Sequence, residues 1–226
     1  MATVPRSKRA GYAKADPDLF YDAMARLFVW DYPVLYWLRR LLPDARTLLD
    51  AGGHQATKFR VFDPYLDWPE GFRWVVWDLP DVVRAGSERA RRDGLHRVSF
   101  VERLSDAEPA DVLLVSGLLQ FVDVGLEELL GRLTSLPRHL LLNKVAVRDG
   151  PTLLTLENMG DTASPYRILN EADFVRSLEN LGYREVDRWE IPDLSHIIPL
   201  YEHLGPSRSL GFLWTRQDTA PDASGG

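Results

Sequence analysis

The chain has 226 residues, 45% hydrophobic, 11% aromatic and 27% charged; these proportions suit one α/β domain or two small ones and exclude wholesale disorder. It contains no cysteine, which excludes a disulfide scaffold, a thiolate nucleophile, an iron–sulfur cluster and a cysteine zinc site. With 27 basic against 33 acidic residues the net charge is −6, which argues against a nucleic-acid partner.

Residues 1–16 read as a flexible basic tail carrying Arg6, Lys8, Arg9 and Lys14. They hold no apolar core of a secretory signal, so a cytoplasmic location is expected. A single domain is expected over 17–216, opening with a helical cap over 17–45. Within the cap, Leu19, Phe20, Met24, Leu27 and Phe28, then Leu35, Leu38, Leu41 and Leu42, follow a helical rhythm interrupted at Pro33.

Strand-like and helix-like segments then alternate. Apolar runs lie at 47–51, 72–78, 97–101, 111–116 and 139–143. Runs of Leu and Val without alternation suit strands buried on both faces, as in a parallel sheet. The clearest helices between them are Pro80 to Arg92 and Leu126 to Leu136. The repeated βα pattern predicts an α/β fold, a Rossmann-like doubly wound sheet with helices on both faces. No membrane contact is expected, because the most apolar stretch, Val112 to Val122, has about half the ~20 residues of a span.

The last third changes character. The segment from Asp149 to Asn170 has turn residues and little periodicity, and reads as a long functional loop. A helix follows over 171–181 and stops at Gly182. Strands over 183–190 and 210–216 suggest an antiparallel addition at one sheet edge, and residues 217–226 read as a disordered tail.

The chemistry is expected at the carboxyl ends of the strands. The first strand runs into Asp50-Ala51-Gly52-Gly53-His54, a turn that lets a ligand approach the backbone. A nicotinamide site wants G-x-G-x-x-G, whereas here His54 and Ala56 stand where further glycines would sit. A carboxylate at Asp50 would repel a pyrophosphate and suit a ligand bearing an ammonium and a sulfonium. Asp78, closing the second strand, is placed to accept two ribose hydroxyls, with Leu79 against an adenine ring; the competing role for Asp78 is a helix N-cap before Pro80.

These residues resemble the class I methyltransferases that use S-adenosylmethionine. The D-x-G-G turn, the Asp78-Leu79-Pro80 tripeptide and the Val115-to-Phe121 segment carry the resemblance. It is closer to a bacterial methyltransferase family found with polysaccharide or secondary-metabolite genes, through Tyr32-Pro33-Val34-Leu35, Leu49 to Gly53, Ser164 to Asn170 and Gly182-Tyr183. The match spans roughly residues 20–215 and departs at Ala56, where the family pattern usually has Gly. The resemblance implies a seven-stranded, mostly parallel sheet with the last strand antiparallel. It also implies S-adenosyl-L-methionine as cofactor, held by Asp50, Gly52, Gly53, His54, Asp78, Leu79, Leu104 and Ser116.

On the acceptor side, His196 and His54 are the expected catalytic bases. His139 is expected to be structural and His96 solvated. Gln120, Asn143, Asn158, Tyr166, Arg167 and Tyr201 are expected to bind the substrate, and no spacing suggests a metal. The expected activity is methyl transfer to a small molecule, at a hydroxyl oxygen of a sugar or specialised metabolite. An amine acceptor, a nicotinamide-dependent oxidoreductase and an inert cofactor-binding subunit are the alternatives, and a homodimer is admissible.

Overall fold

A computed structural model describes Asp18 and residues 21–158 and 163–217. The two expected tails and the cap residues Leu19 and Phe20 lie outside these residues, except Gln217. The cap is less helical than its rhythm suggests. It holds a single turn, α1 (Tyr21–Met24), a 3-10 turn over Val29–Asp31, and one longer helix, α2 (Tyr32–Leu41), with Pro33 in its first turn. Proline is tolerated there because the first-turn N–H groups have no helical partner.

The strand–helix alternation follows as β1 (Thr47–Ala51), α3 (Thr57–Phe62), β2 (Arg73–Trp77), α4 (Pro80–Arg92), β3 (Val98–Val101), β4 (Val112–Ser116), α5 (Leu126–Gly131) and β5 (His139–Arg148). Then come β6 (Leu153–Asn158), β7 (Ala163–Asn170), α6 (Glu171–Asn180), β8 (Tyr183–Glu190) and β9 (Arg208–Arg216). The helix expected to reach Leu136 therefore ends at Gly131.

Strands β3-β2-β1-β4-β5 are parallel, and β9 enters antiparallel between β5 and β8. That is the expected seven-stranded core with its last strand antiparallel. The strand order reverses between β1 and β4, which opens a crevice at the carboxyl ends of these strands.

One expectation is overturned. The segment from Asp149 to Asn170 is not a long loop but an antiparallel hairpin of β6 and β7, joined to the far end of β5 through Val147–Leu169. Its alternation is inverted: Leu154 and Leu156 face outward, while Thr155 and Glu157 are half-buried.

The sheet separates two apolar layers. Leu49, Val75, Leu113, Leu140 and Trp214 pack with α5 and α6 on one face. Leu48, Trp74, Val76, Leu114, Leu141 and Leu213 pack with α2 and α3 on the other. Strand β5 keeps its faces through a bulge: Leu142 and Val145 belong to the same layer, which a regular strand would forbid.

Gly211 on β9 sits opposite Trp189 on β8, and a Cβ there would run into the indole ring. The same indole N–H donates to Asn143 Oδ1 at 3.2 Å. Replacing Gly211 with Val should displace the ring and lower stability by about 1–3 kcal/mol in urea unfolding.

Candidate functional site

The turn after β1 is set by unusual backbone. Gly52, His54 and Ala56 all lie in the left-handed region, at φ 72°, 54° and 58°. For Ala56 this carries a cost that a glycine would not, of about 1–2 kcal/mol. Gly52 donates its N–H to the Trp77 carbonyl at 2.8 Å, which pins the turn across to β2. A Cβ on Gly52 would lie 2.9 Å from Leu118, and one on Gly53 would collide with the Asp50 carboxylate. Both glycines are thus required by close packing.

Asp50 is 1% exposed and accepts a hydrogen bond from the Trp74 indole at 3.1 Å. Burial pushes its pKa up to about 7, helped by the Asp78 charge and opposed by the Trp74 bond and by Lys58 and Lys144. Asp78 ties the two strand ends together. It accepts the N–H of His54 at 2.8 Å and of Leu79 at 2.7 Å. Burial raises its pKa against these two bonds. Asp78 is not the N-cap of α4; that position belongs to Leu79.

The amino-terminal segment covers this edge. The Asn143 amide donates to the Trp30 carbonyl at 3.2 Å and to Ser116 Oγ at 3.4 Å. Gln55 donates to Asp18 and accepts from Arg89, which also pairs with Asp18. The Arg89 guanidinium lies 3.9 Å from the Tyr21 ring centroid, and the Tyr21 and His54 rings are 6.5 Å apart.

The structure brings Asp50, Gly52, Gly53, His54, Asp78, Ser116, Gln120 and Asn143 to one end of the sheet. Leu79 stands exposed at the edge, and Leu104 is a buried core residue of the α5–α6 layer. The hairpin joins this end through its backbone, with the Arg167 N–H donating to the Gln120 carbonyl at 2.8 Å. Arg167 donates to the Val124 carbonyl at 3.0 Å and lines a cavity of about 150 Å³ with Leu169 and Phe174, on the α5–α6 side. Tyr166 packs edge-on to Phe121 at 5.4 Å, and burial pushes its pKa up to about 12. Asn158 is exposed at the end of β6.

His196 is exposed, and its N–H and carbonyl are both bonded to Ser207, which fastens its loop beside the start of β9. Tyr201 is exposed farther along that loop. His139 has its ring bonded to Thr215, and His96 is exposed.

Three charged residues at the site escaped the sequence reading. Asp31 is fully buried and pairs with Lys58 on α3 at 2.7 Å. Lys144, in the β5 bulge, extends over Gly117, where a Cβ would lie 2.9 Å from its Nζ. The available signal was composition: only Lys8, Lys14, Lys58 and Lys144 are lysines, against 23 arginines.

No protein-family model matches the sequence, and no curated protein does. Solved structures do. Burkholderia thailandensis 1,6-didemethyltoxoflavin-N1-methyltransferase, with 1,6-didemethyltoxoflavin and S-adenosylhomocysteine bound, is 21% identical at a TM-score of 0.56, over 84% of this chain and 79% of that one. The N-terminal domain of EvdMO1, with S-adenosylhomocysteine bound, is 12% identical at 0.59, over 82% and 80%. An O-methyltransferase family protein from Burkholderia thailandensis is 17% identical at 0.54, over 90% and 60%. The fold of this chain is therefore that of the Rossmann-like S-adenosylmethionine-dependent methyltransferases. The site described above occupies the crevice at its topological switch point.

The buried Asp50 carboxyl makes stability depend on pH. Its pKa is higher in the folded chain than in the unfolded one, so stability falls as pH rises from about 4 to about 7. Asp50→Asn should therefore be more stable than wild type by about 2–4 kcal/mol at pH 8. The difference should vanish near pH 4, as read by urea unfolding without added ligand.

Proposed function

We propose that this chain transfers a methyl group from S-adenosylmethionine to a small-molecule acceptor, with a hydroxyl oxygen as the accepting atom. The single observation that carries the reading is the coupling of the Asp50–Gly53 turn to Asp78 at the switch point. Two carboxylates and a side-chain-free backbone meet there. The residues fit such a cofactor: Gly52 and Gly53 present no side chain at the turn, and Asp78 spends its bonds on two backbone donors while keeping further lone pairs.

In this reading Asp78 holds the ribose hydroxyls, and Leu79 flanks the adenine. Asp50 faces the methionine ammonium, whose positive charge favours the ionised carboxylate that burial alone disfavours. The bound cofactor supplies an activated methyl on a sulfonium. Gly52 and Gly53 let it lie against the strand ends, Ser116 and Asn143 line the floor, and Gln120 meets the acceptor. The covering segment from Tyr21 to Asp31 excludes water, which protects an in-line displacement. Methyl transfer is supported by the names of two of the solved structures, an N1-methyltransferase and an O-methyltransferase family protein, and by the S-adenosylhomocysteine in the first and in the EvdMO1 domain.

Two measurements test it. Calorimetry with S-adenosylhomocysteine should give a defined affinity, and Asp78→Ala should weaken it by about 1–3 kcal/mol, roughly 5- to 150-fold. Gly52→Val should abolish binding and also lower stability, because its Cβ meets Leu118 at φ 72°, while the far-ultraviolet circular dichroism still shows a folded sheet. Binding of a nicotinamide dinucleotide without S-adenosylhomocysteine would replace the reading with an oxidoreductase. Tritiated methyl from S-adenosylmethionine should then pass to a small molecule in an extract of the source cells; binding without transfer would leave a cofactor-binding subunit.

A further inference from the structure

The least explained group at the site is the Lys144 amine, and four independent observations converge on it. The first is backbone. Lys144 adopts φ 57°, and the β5–β9 register shifts between Leu142 and Val145. A non-glycine residue in this region is strained, and such strain is retained at positions where a side chain must be aimed. The bulge takes Lys144 out of the alternation that serves the two apolar layers.

The second is space. Gly117 has φ 77°, and a Cβ there would stand 2.9 Å from both Cε and Nζ of Lys144. The glycine leaves room for the amine against the turn after β4. The same imagined Cβ lies 3.7 Å from Gln120 Nε2, and the Gln120 Oε1 is buried with no hydrogen-bond partner. Gln120 is only 8% exposed. Amine and amide therefore converge over Gly117, beside Leu118 and Gly52.

The third is charge. Lys58 on α3, Asp31 before α2 and Asp50 on β1 all act on Lys144. Asp31 is already bonded to Lys58. Lys144 has no ion pair or side-chain hydrogen bond with any described residue. Burial and the Lys58 charge lower its pKa to about 8 against the pull of Asp31 and Asp50. The fourth is composition. Arginine cannot give up its proton, and this chain uses arginine at 23 of its 27 basic positions. Its two lysines outside the amino-terminal tail stand together at this site.

We propose that Lys144 is the catalytic base of the methyl transfer, acting on an acceptor hydroxyl held over Gly117 with Gln120. The proposal rests on the methyltransferase reading above. The neutral amine takes the hydroxyl proton and becomes an ammonium. The acceptor oxygen forms a bond to the methyl carbon, and the carbon–sulfur bond breaks with its electron pair passing to sulfur. The products are the methyl ether, S-adenosylhomocysteine and protonated Lys144, which then loses its proton to solvent. A base with a pKa near 8 is well matched to this work at neutral pH. A sulfonium bound alongside disfavours the ammonium further and drives Lys144 toward its working form.

The scarcity of lysine makes the test direct. The full chain labelled with [13Cε]lysine should give four side-chain signals, of which one titrates near pH 8 and is missing in Lys144→Arg. S-adenosylmethionine should lower that midpoint by a unit or more, whereas S-adenosylhomocysteine, with its neutral sulfur, should not. Lys58→Arg, which keeps the signal, secures the assignment if Lys144→Arg folds poorly. In the tritium assay Lys144→Arg and Lys144→Met should both lose roughly 10²–10⁴-fold in rate, with S-adenosylhomocysteine affinity within about threefold. A Lys144 signal titrating above pH 10 would overturn the proposal. So would one indifferent to S-adenosylmethionine that calorimetry shows to be bound, or near-normal turnover in Lys144→Arg, which would mean that only the positive charge is needed. Failure of both adenosyl compounds to bind would remove the methyltransferase reading and this proposal together.

Discussion

Desolvation of one carboxyl group organises this molecule. Asp50 lies near the end of the central strand, where its partners are Val76 on one side and Leu114 on the other. A carboxylate in such a place must be satisfied or neutralised. The Trp74 indole supplies one bond, and Lys58 and Lys144 supply positive charge from α3 and β5. The glycine turn packs directly on the carboxylate, so no side chain can be added at Gly53 without moving it. The geometry of the turn and the electrostatics of the site are two descriptions of the same burial.

The covering segment follows from that arrangement. Asp31 is fully buried because Lys58 needs a partner, and the Phe28 N–H also bonds to it. Breaking such a pair by removing one member leaves an uncompensated charge, which is why buried pairs fix geometry more than they add stability. The Trp30 carbonyl reaches Asn143, whose other amide atom takes the Trp189 indole. Through Asn143 the segment before α2, the bulge of β5 and the β8–β9 pair therefore share a hydrogen-bonded junction. A change in any one is felt at the site.

Much of the fold is legible in the residues. The central parallel strands announce themselves because strands buried on both faces can only be runs such as Val112 to Ser116. The Asp50, Gly52 and Asp78 arrangement is legible for a similar reason, since one strand–helix–strand unit fixes both spacing and order. The β6–β7 hairpin is not. Its leucines at 154 and 156 face outward and its polar residues inward, so the expected alternation has the wrong sign. The Asp31, Lys58 and Lys144 cluster is hidden for another reason. It is drawn from three elements far apart in the chain, and no local spacing encodes it. The acceptor side is obscured with it: the hairpin bonds the Arg167 N–H to the Gln120 carbonyl while turning the guanidinium to the Val124 carbonyl on the α5–α6 side.

The β5 bulge has a consequence for how such a protein can change over time. Because one additional residue restores the inward parity of Val145 and Val147, that residue cannot be deleted without turning both of them, and Ala146 and Arg148 with them, to the opposite faces. The loss would also break the pairing of β5 with β9 at Val145–Leu210 and with β7 at Val147–Leu169. The insertion behaves as a ratchet. Substitution at position 144 remains open to chance, but removal of the position demands simultaneous rewriting of three strands. The address of that side chain in the fold is therefore locked more firmly than its identity.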